Sequence, residues 1–226
     1  MKKLLIFAGL CVILFTACNS GSVAPSSAVF ILVDNTEKCE DSKENLISTQ
    51  SLCNYLGTNG SVTFQKVNSV ALNSNVTLQI SIPDDATSLT KKDILDPFIT
   101  RLDTLRENFL GPTSGTEGSS IYKPFCHAFT ELSHSSATNK TLVVVSDMIE
   151  NSSIGNFYKD KPFAEVKARL DSSGVKIPHN TSNIKVIILY NPNGDAKKER
   201  QFERAMGFWQ PILTEAGISY IVKANL

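Results

Sequence analysis

A chain of 226 residues has room for one ordinary α/β domain with a proper core and no room for a second. It carries 22 basic and 22 acidic side chains, a formal net charge of zero, so it offers neither a basic footprint for nucleic acid nor a polybasic face for a membrane. Walker, G-x-G-x-x-G, G-x-S-x-G and Cys-x-x-Cys patterns do not occur, and with them go the commonest sequence signatures of nucleotide, dinucleotide, acyl-transfer and thiol redox chemistry.

The chain opens on Met1-Lys2-Lys3 and an apolar run from Leu4 to Phe15, too brief to span a bilayer comfortably, which reads as a secretory signal. The run ends in Phe15-Thr16-Ala17-Cys18, which resembles the bacterial lipobox, where the peptide is cut before a cysteine that is then lipidated. That resemblance implies a signal peptide over 1–17, a lipidated Cys18, and a flexible tether over 18–27 that is small, polar and without periodicity. The domain proper is then 28–226, held in the bacterial cell envelope by its lipid; Asn19, rather than aspartate, after the cysteine implies the outer membrane. Cleavage removes Lys2, Lys3 and Cys11, leaving 20 basic against 22 acidic residues, a net of −2. With Cys18 taken by lipid, Cys39, Cys53 and Cys126 remain in a compartment that permits disulfides, and an odd count leaves at least one without an internal partner.

From Ala28 to Val33 six apolar residues run without a break and stop on Asp34-Asn35-Thr36. Such a run suits a strand covered on both faces, and polar groups just past its C-terminal end sit where open α/β sheets bind ligands. Asp41 to Glu44 offers an N-cap with an acid three residues on; Leu46, Cys53 and Leu56 fall near one face and Gly57 closes the segment, which predicts a crossover helix over 41–56. Such a helix would set Cys39 and Cys53 roughly 20 Å apart, beyond the ~7 Å reach of a disulfide; Cys39 and Cys126, both near the ligand end of the sheet, are the expected intramolecular pair.

Residues 61–67 and 75–82 alternate apolar and polar side chains across a short Asn-rich turn, the pattern of a hairpin. A helical period follows from Thr90 to Leu110, with Asp96-Pro97 predicting that the main helix begins there. Residues 111–118 form a hydroxyl-rich loop, and Ile121 to Leu132 the next helix. A second buried strand, Thr141 to Val145, stops on Ser146-Asp147. The polar stretch from Met148 to Lys161 is long enough to overhang the crevice, and Pro162 to Leu170 is a short helix. Ile184 to Tyr190 is a strand; Phe202, Met206, Trp209 and Leu213 form a core stripe on a helix that Pro211 kinks and Gly217 caps; Ile218 to Val222 is the last strand. The fold class is α/β, doubly wound and Rossmann-like, with a mainly parallel sheet, one antiparallel edge strand and helices on both faces.

Two strands thus deliver Asp34 and Asp147 to one crevice. Both are hard oxygen donors, of the kind suited to magnesium, or to manganese or calcium. In order and spacing, Asp34-Asn35-Thr36-Glu37-Lys38, Gly118-Ser119-Ser120-Ile121 and Ser146-Asp147 resemble the three loops of the von Willebrand factor type A family, whose metal-ion-dependent adhesion site uses D-x-S-x-S, a threonine or serine, and an aspartate. The resemblance implies a cation on Asp34, Thr36, Ser119 and Asp147, with Ser120 or Thr116 as alternates for Ser119. It also implies a protein partner whose carboxylate completes the site, hence binding rather than turnover. Lys38 stands where the family has a serine ligand, so the site is either weakened, with Lys38 swung outward, or served by the Lys38 ammonium in place of the metal.

Two other readings stand beside it: a metal-dependent envelope hydrolase, and a structural lipoprotein with a vestigial site. The phosphatase pattern of haloacid-dehalogenase-like enzymes needs a second aspartate where this chain has Thr36. Cys126-His127 is no dyad, because neighbours on a helix point about 100° apart. His127, His134 and His179 read as scattered surface residues.

Overall fold

The computed structural model describes residues 26–36, 43–67, 75–111, 118–159, 163–179, 181 and 183–226. The signal segment, Cys18, most of the tether, Lys38, Cys39 and Thr116 lie outside these residues. Six strands form one sheet: β1 (Ser27–Asp34), β2 (Asn59–Val67), β3 (Val76–Ser81), β4 (Asn139–Val145), β5 (Ile184–Leu189) and β6 (Tyr220–Lys223). Their order is β3-β2-β1-β4-β5-β6. All neighbours are parallel except β2 and β3, so the edge strand β3 is the antiparallel one that the alternating pattern predicts. Order reverses between β1 and β4, and the C-terminal ends of those two strands flank the switch point of the sheet.

Helices cover both faces. α1 (Thr49–Leu56) and α2 (Ser88–Leu110) close one face over Val29, Ile31, Val33, Phe64 and Val143. α3 (Tyr122–His134), α4 (Phe163–Ser172) and α5 (Ala196–Glu215) close the other over Phe30, Leu32, Leu142 and Val144. Every residue of β1 is buried, which is why its run is apolar without alternation. β2 starts with its backbone against the end of α1: a Cβ on Gly60 would lie 2.5 Å from the Leu56 carbonyl oxygen, so only glycine fits there.

Three expectations need correction. The helix predicted over 41–56 is instead a 3-10 turn, Lys43–Leu46, followed by the separate α1. Ile47 drops fully into the core between them, and Ser48, in extended backbone, caps α1 by accepting the Ser51 N–H at 3.1 Å. The distance argument against a Cys39 to Cys53 bridge thereby loses its continuous helix, and Cys39 itself lies outside the described residues. Cys53 and Cys126 are both free thiols, and they pack against opposite faces of the sheet.

The second correction concerns α2, which begins at Ser88, capped by Thr87, and runs straight through Pro97. The turns ahead of the proline are exposed as far as Asp93, whereas Ile94 and Leu95 already touch the core and Phe98 and Leu102 are buried. Packing on both sides of the proline sustains a helix that the missing N–H weakens. The third is the stretch after β4. Met148, Ile149, Glu150, Ile154 and Phe157 are all buried, with Phe157 stacked on Phe208 at 4.4 Å, so this segment is part of the core and does not overhang it. α5 includes Pro211 and ends as Gly217, at φ 69°, follows the Ala216 cap: Ile218 N–H reaches the Leu213 carbonyl at 2.8 Å and Gly217 N–H the Thr214 carbonyl at 3.0 Å, a Schellman closure.

Candidate functional site

Parallel pairing of β1 and β4 sets Val33 level with Val145, so the next residues along, Asp34 and Ser146, leave the sheet side by side. Asp34 continues the row of Ala28, Phe30 and Leu32 and therefore projects toward the α3 face. Its carboxylate is the hub of the site. Oδ1 accepts the Thr36 hydroxyl at 2.6 Å and the Thr36 N–H at 3.0 Å; Oδ2 accepts the hydroxyls of Ser146 at 2.9 Å and Ser119 at 3.1 Å. Asp34 is only 4 % exposed, and a buried carboxylate of this kind is sustained by such bonds. Its main-chain carbonyl accepts a further bond from the Lys43 ammonium, which places a fixed cation at the strand end.

Of the residues singled out in the sequence, Asp34, Thr36 and Ser119 are joined by hydrogen bonds. Ser119 is the loop serine at Asp34, and its neighbour Ser120 is also buried. Asp147 stands one residue beyond Ser146, half-buried, and its Oδ1 accepts the Ile149 N–H at 2.9 Å. Lys38 and Cys18 fall outside the described residues. His127 lies edge-on to Phe30 at 6.4 Å and 3.7 Å from Glu131, while Cys126 beside it is buried, so the two do point apart. Burial pushes the Cys126 thiol up to about 12, which leaves it inert at neutral pH.

Three contributors were not legible as site residues. In the sequence Ser146 is only the flank of Asp147, yet its hydroxyl both donates to Asp34 and accepts the Met148 N–H at 2.8 Å. Lys43 falls inside the helix that the capping signals predict over 41–56. Glu150 belongs to no motif and is 1 % exposed; its Oε2 accepts the N–H groups of Ile121 at 2.7 Å and Tyr122 at 2.8 Å, and its Oε1 the Ser152 hydroxyl. Desolvation pushes the Glu150 carboxyl up to about 7, the bonds from Ser152, Tyr122 and Ile121 pull the other way, and the negative Asp34 nearby adds to the rise. Met148, between Asp147 and Ile149, adopts φ 61°, a backbone region that side chains other than glycine enter at a cost, and the Trp209 indole N–H holds its carbonyl at 2.8 Å.

Chemically, Asp34, Asp147 and the hydroxyls of Thr36, Ser119 and Ser146 are all hard oxygen groups, and among the described residues no three His, Cys, Asp or Glu side chains gather into a cluster. A donor set of that kind fits magnesium or manganese held by few carboxylates with water in the remaining positions, and does not fit a zinc centre.

No family model and no curated protein matches the chain. Among solved structures it is similar to the crystal structure of a conserved hypothetical protein, BatB, from Bacteroides thetaiotaomicron, at 14 % identity over 88 % of this chain and 91 % of that one, with a TM-score of 0.38. A likeness at that level carries no argument; the α/β class stands on the sheet order and the helices on its two faces.

Proposed function

We propose that this chain is a lipid-anchored cell-envelope binding module with a von Willebrand type A-like site, in which Asp34, Thr36, Ser119 and Asp147 hold a magnesium or manganese ion and a protein partner supplies a carboxylate. The observation that carries the reading is the convergence of hydroxyls from three separate segments on one buried carboxylate at the switch point of the sheet. Bound there, the ion would supply Lewis acidity to an oxygen of the partner. The chain's own residues do the rest. Asp34 gathers the hydroxyls, and Ser146 and Trp209 fix the backbone that carries the half-buried Asp147.

A hydrolase draws no support from Glu150. Its raised pKa suits proton transfer, but at 1 % exposure and with both oxygens engaged by the protein it has no access to a substrate.

Calorimetric titration of magnesium and manganese into the full-length protein in detergent tests the cation, with Asp147→Asn and Lys38→Ser alongside. Wild type should bind, Asp147→Asn more weakly, and Lys38→Ser more tightly because an ammonium is removed from the motif. Binding by none of the three would sink the cation site and leave the vestigial reading. Co-purification from detergent-solubilised envelope tests the partner, whose retention should depend on Asp147; turnover of a phosphoester or peptide panel would favour the hydrolase instead. Mass spectrometry of the mature N-terminus tests the anchor: a chain beginning upstream of Cys18 would defeat it.

A further inference from the structure

Glu150 joins two of the segments that meet at Asp34. Its Oε2 takes the N–H groups of Ile121 and Tyr122, open donors at the start of α3, where the flanking Ile121 contributes no side-chain cap. One residue further on, Asn151 exchanges a pair of backbone hydrogen bonds with Ser119, at 2.7 and 3.1 Å. Ser119 therefore lies just ahead of the N–H groups that Glu150 holds, and Asp147 lies just ahead of Glu150 itself. A carboxylate is the right group for this place, because it accepts both N–H bonds and faces the positive end of the α3 dipole. Ser152 occupies its other oxygen, so the carboxyl is fixed in both position and rotation.

We propose that Glu150 is the positioning residue of the Asp34 site: its carboxyl clamps the start of α3 to the loop that leaves β4, and so sets how the segments carrying Ser119 and Ser146-Asp147 meet at Asp34. The clamp is read from the geometry alone, and its effect on ion binding rests on the cation reading above.

The test compares full-length wild type with Glu150→Gln, Glu150→Asp and Glu150→Ala, using manganese alone as the probe and amide hydrogen exchange as a second readout. Glutamine keeps the length and one carbonyl oxygen able to accept both N–H groups, so its affinity should stay within about threefold of wild type. Alanine removes the acceptor, and aspartate is too short by one methylene; each should weaken manganese binding, alanine by about 10- to 100-fold, the usual loss on removing a group that orients ligands. In Glu150→Ala, exchange should quicken together over 119–122 and 146–151 while the amides of β1 and α2 stay as in wild type. Should alanine fail to fold, the aspartate variant carries the same expectation in smaller measure. If wild type binds no manganese but the two segments open together in the variants, the clamp stands and the cation reading falls. Exchange that quickens on one segment only, or manganese affinity in Glu150→Ala and Glu150→Asp equal to that of wild type, overturns the clamp.

Discussion

On the face covered by α1 and α2, the rows of the sheet end in a layer of aliphatic and phenyl side chains that runs unbroken from Val33 and Val145 to Leu102 and Leu110. On the face covered by α3, α4 and α5, the row of Phe30 and Leu32 ends instead in Asp34, the row of Leu142 and Val144 ends in Ser146, and Glu150 is enclosed behind them. Both faces bury large apolar areas, but among the described residues only the second also buries ionisable side chains, Asp34, Lys140 and Glu150, each of which must be matched bond for bond. The first face supplies stability; the second spends some of it to hold a polar site in fixed geometry.

The sharpest way to break this contrast is to cut each face in turn. Leu102→Ala, at a fully buried position on the α1 and α2 face, should cost about 2–5 kcal/mol in denaturant unfolding and leave manganese affinity within twofold. A large loss of affinity would show that the faces are not separable.

The pH dependence of stability should distinguish them next. Glu150 has its folded pKa raised to about 7 from an ordinary value of 4.5, so between those two pH values the folded state binds more protons than the unfolded one and stability falls as pH rises, levelling off above 7. At about 1.4 kcal/mol per pKa unit the fall is roughly 3 kcal/mol, and the difference between the unfolding free energies of wild type and Glu150→Gln across pH 4 to 8 should trace it. A difference that is flat across that range would refute the burial argument for this carboxyl.

Trp209→Phe tests how α5 supports the site. The ring remains apolar, but the Met148 carbonyl loses its donor, at a cost of about 1–3 kcal/mol, and manganese binding should weaken because Asp147 is the adjacent residue. The smallest effect belongs to the other face: Ser48→Ala removes the α1 cap and should cost about 1 kcal/mol with no change at the site.

Much of the fold could be read from local pattern. The unbroken apolar runs of β1 and β4, the alternation of β2 and β3 and the stripe on α5 each record which faces are buried, because burial on two faces, one face or one stripe imposes a different period. That Asp34, Thr36 and Ser119 come together was legible in the order of their motifs. Local rules misled where packing overrode them, as when Pro97 failed to start a helix and when Ile47 broke one that the capping signals favoured.

The sequence by itself determined the α/β class, the apolar strands that stop on Asp34 and on Ser146-Asp147, and Thr36 two residues past Asp34, since each depends on neighbours in the chain. Only the tertiary structure decided that Ser146 is the residue level with Asp34, that Lys43 reaches its carbonyl and that Glu150 caps a helix lying 28 residues before it. Strand register, the reach of a long side chain and the capping of one segment by another are relations between distant parts of the chain, fixed when the sheet assembles and the helices dock, and no local period or motif encodes them.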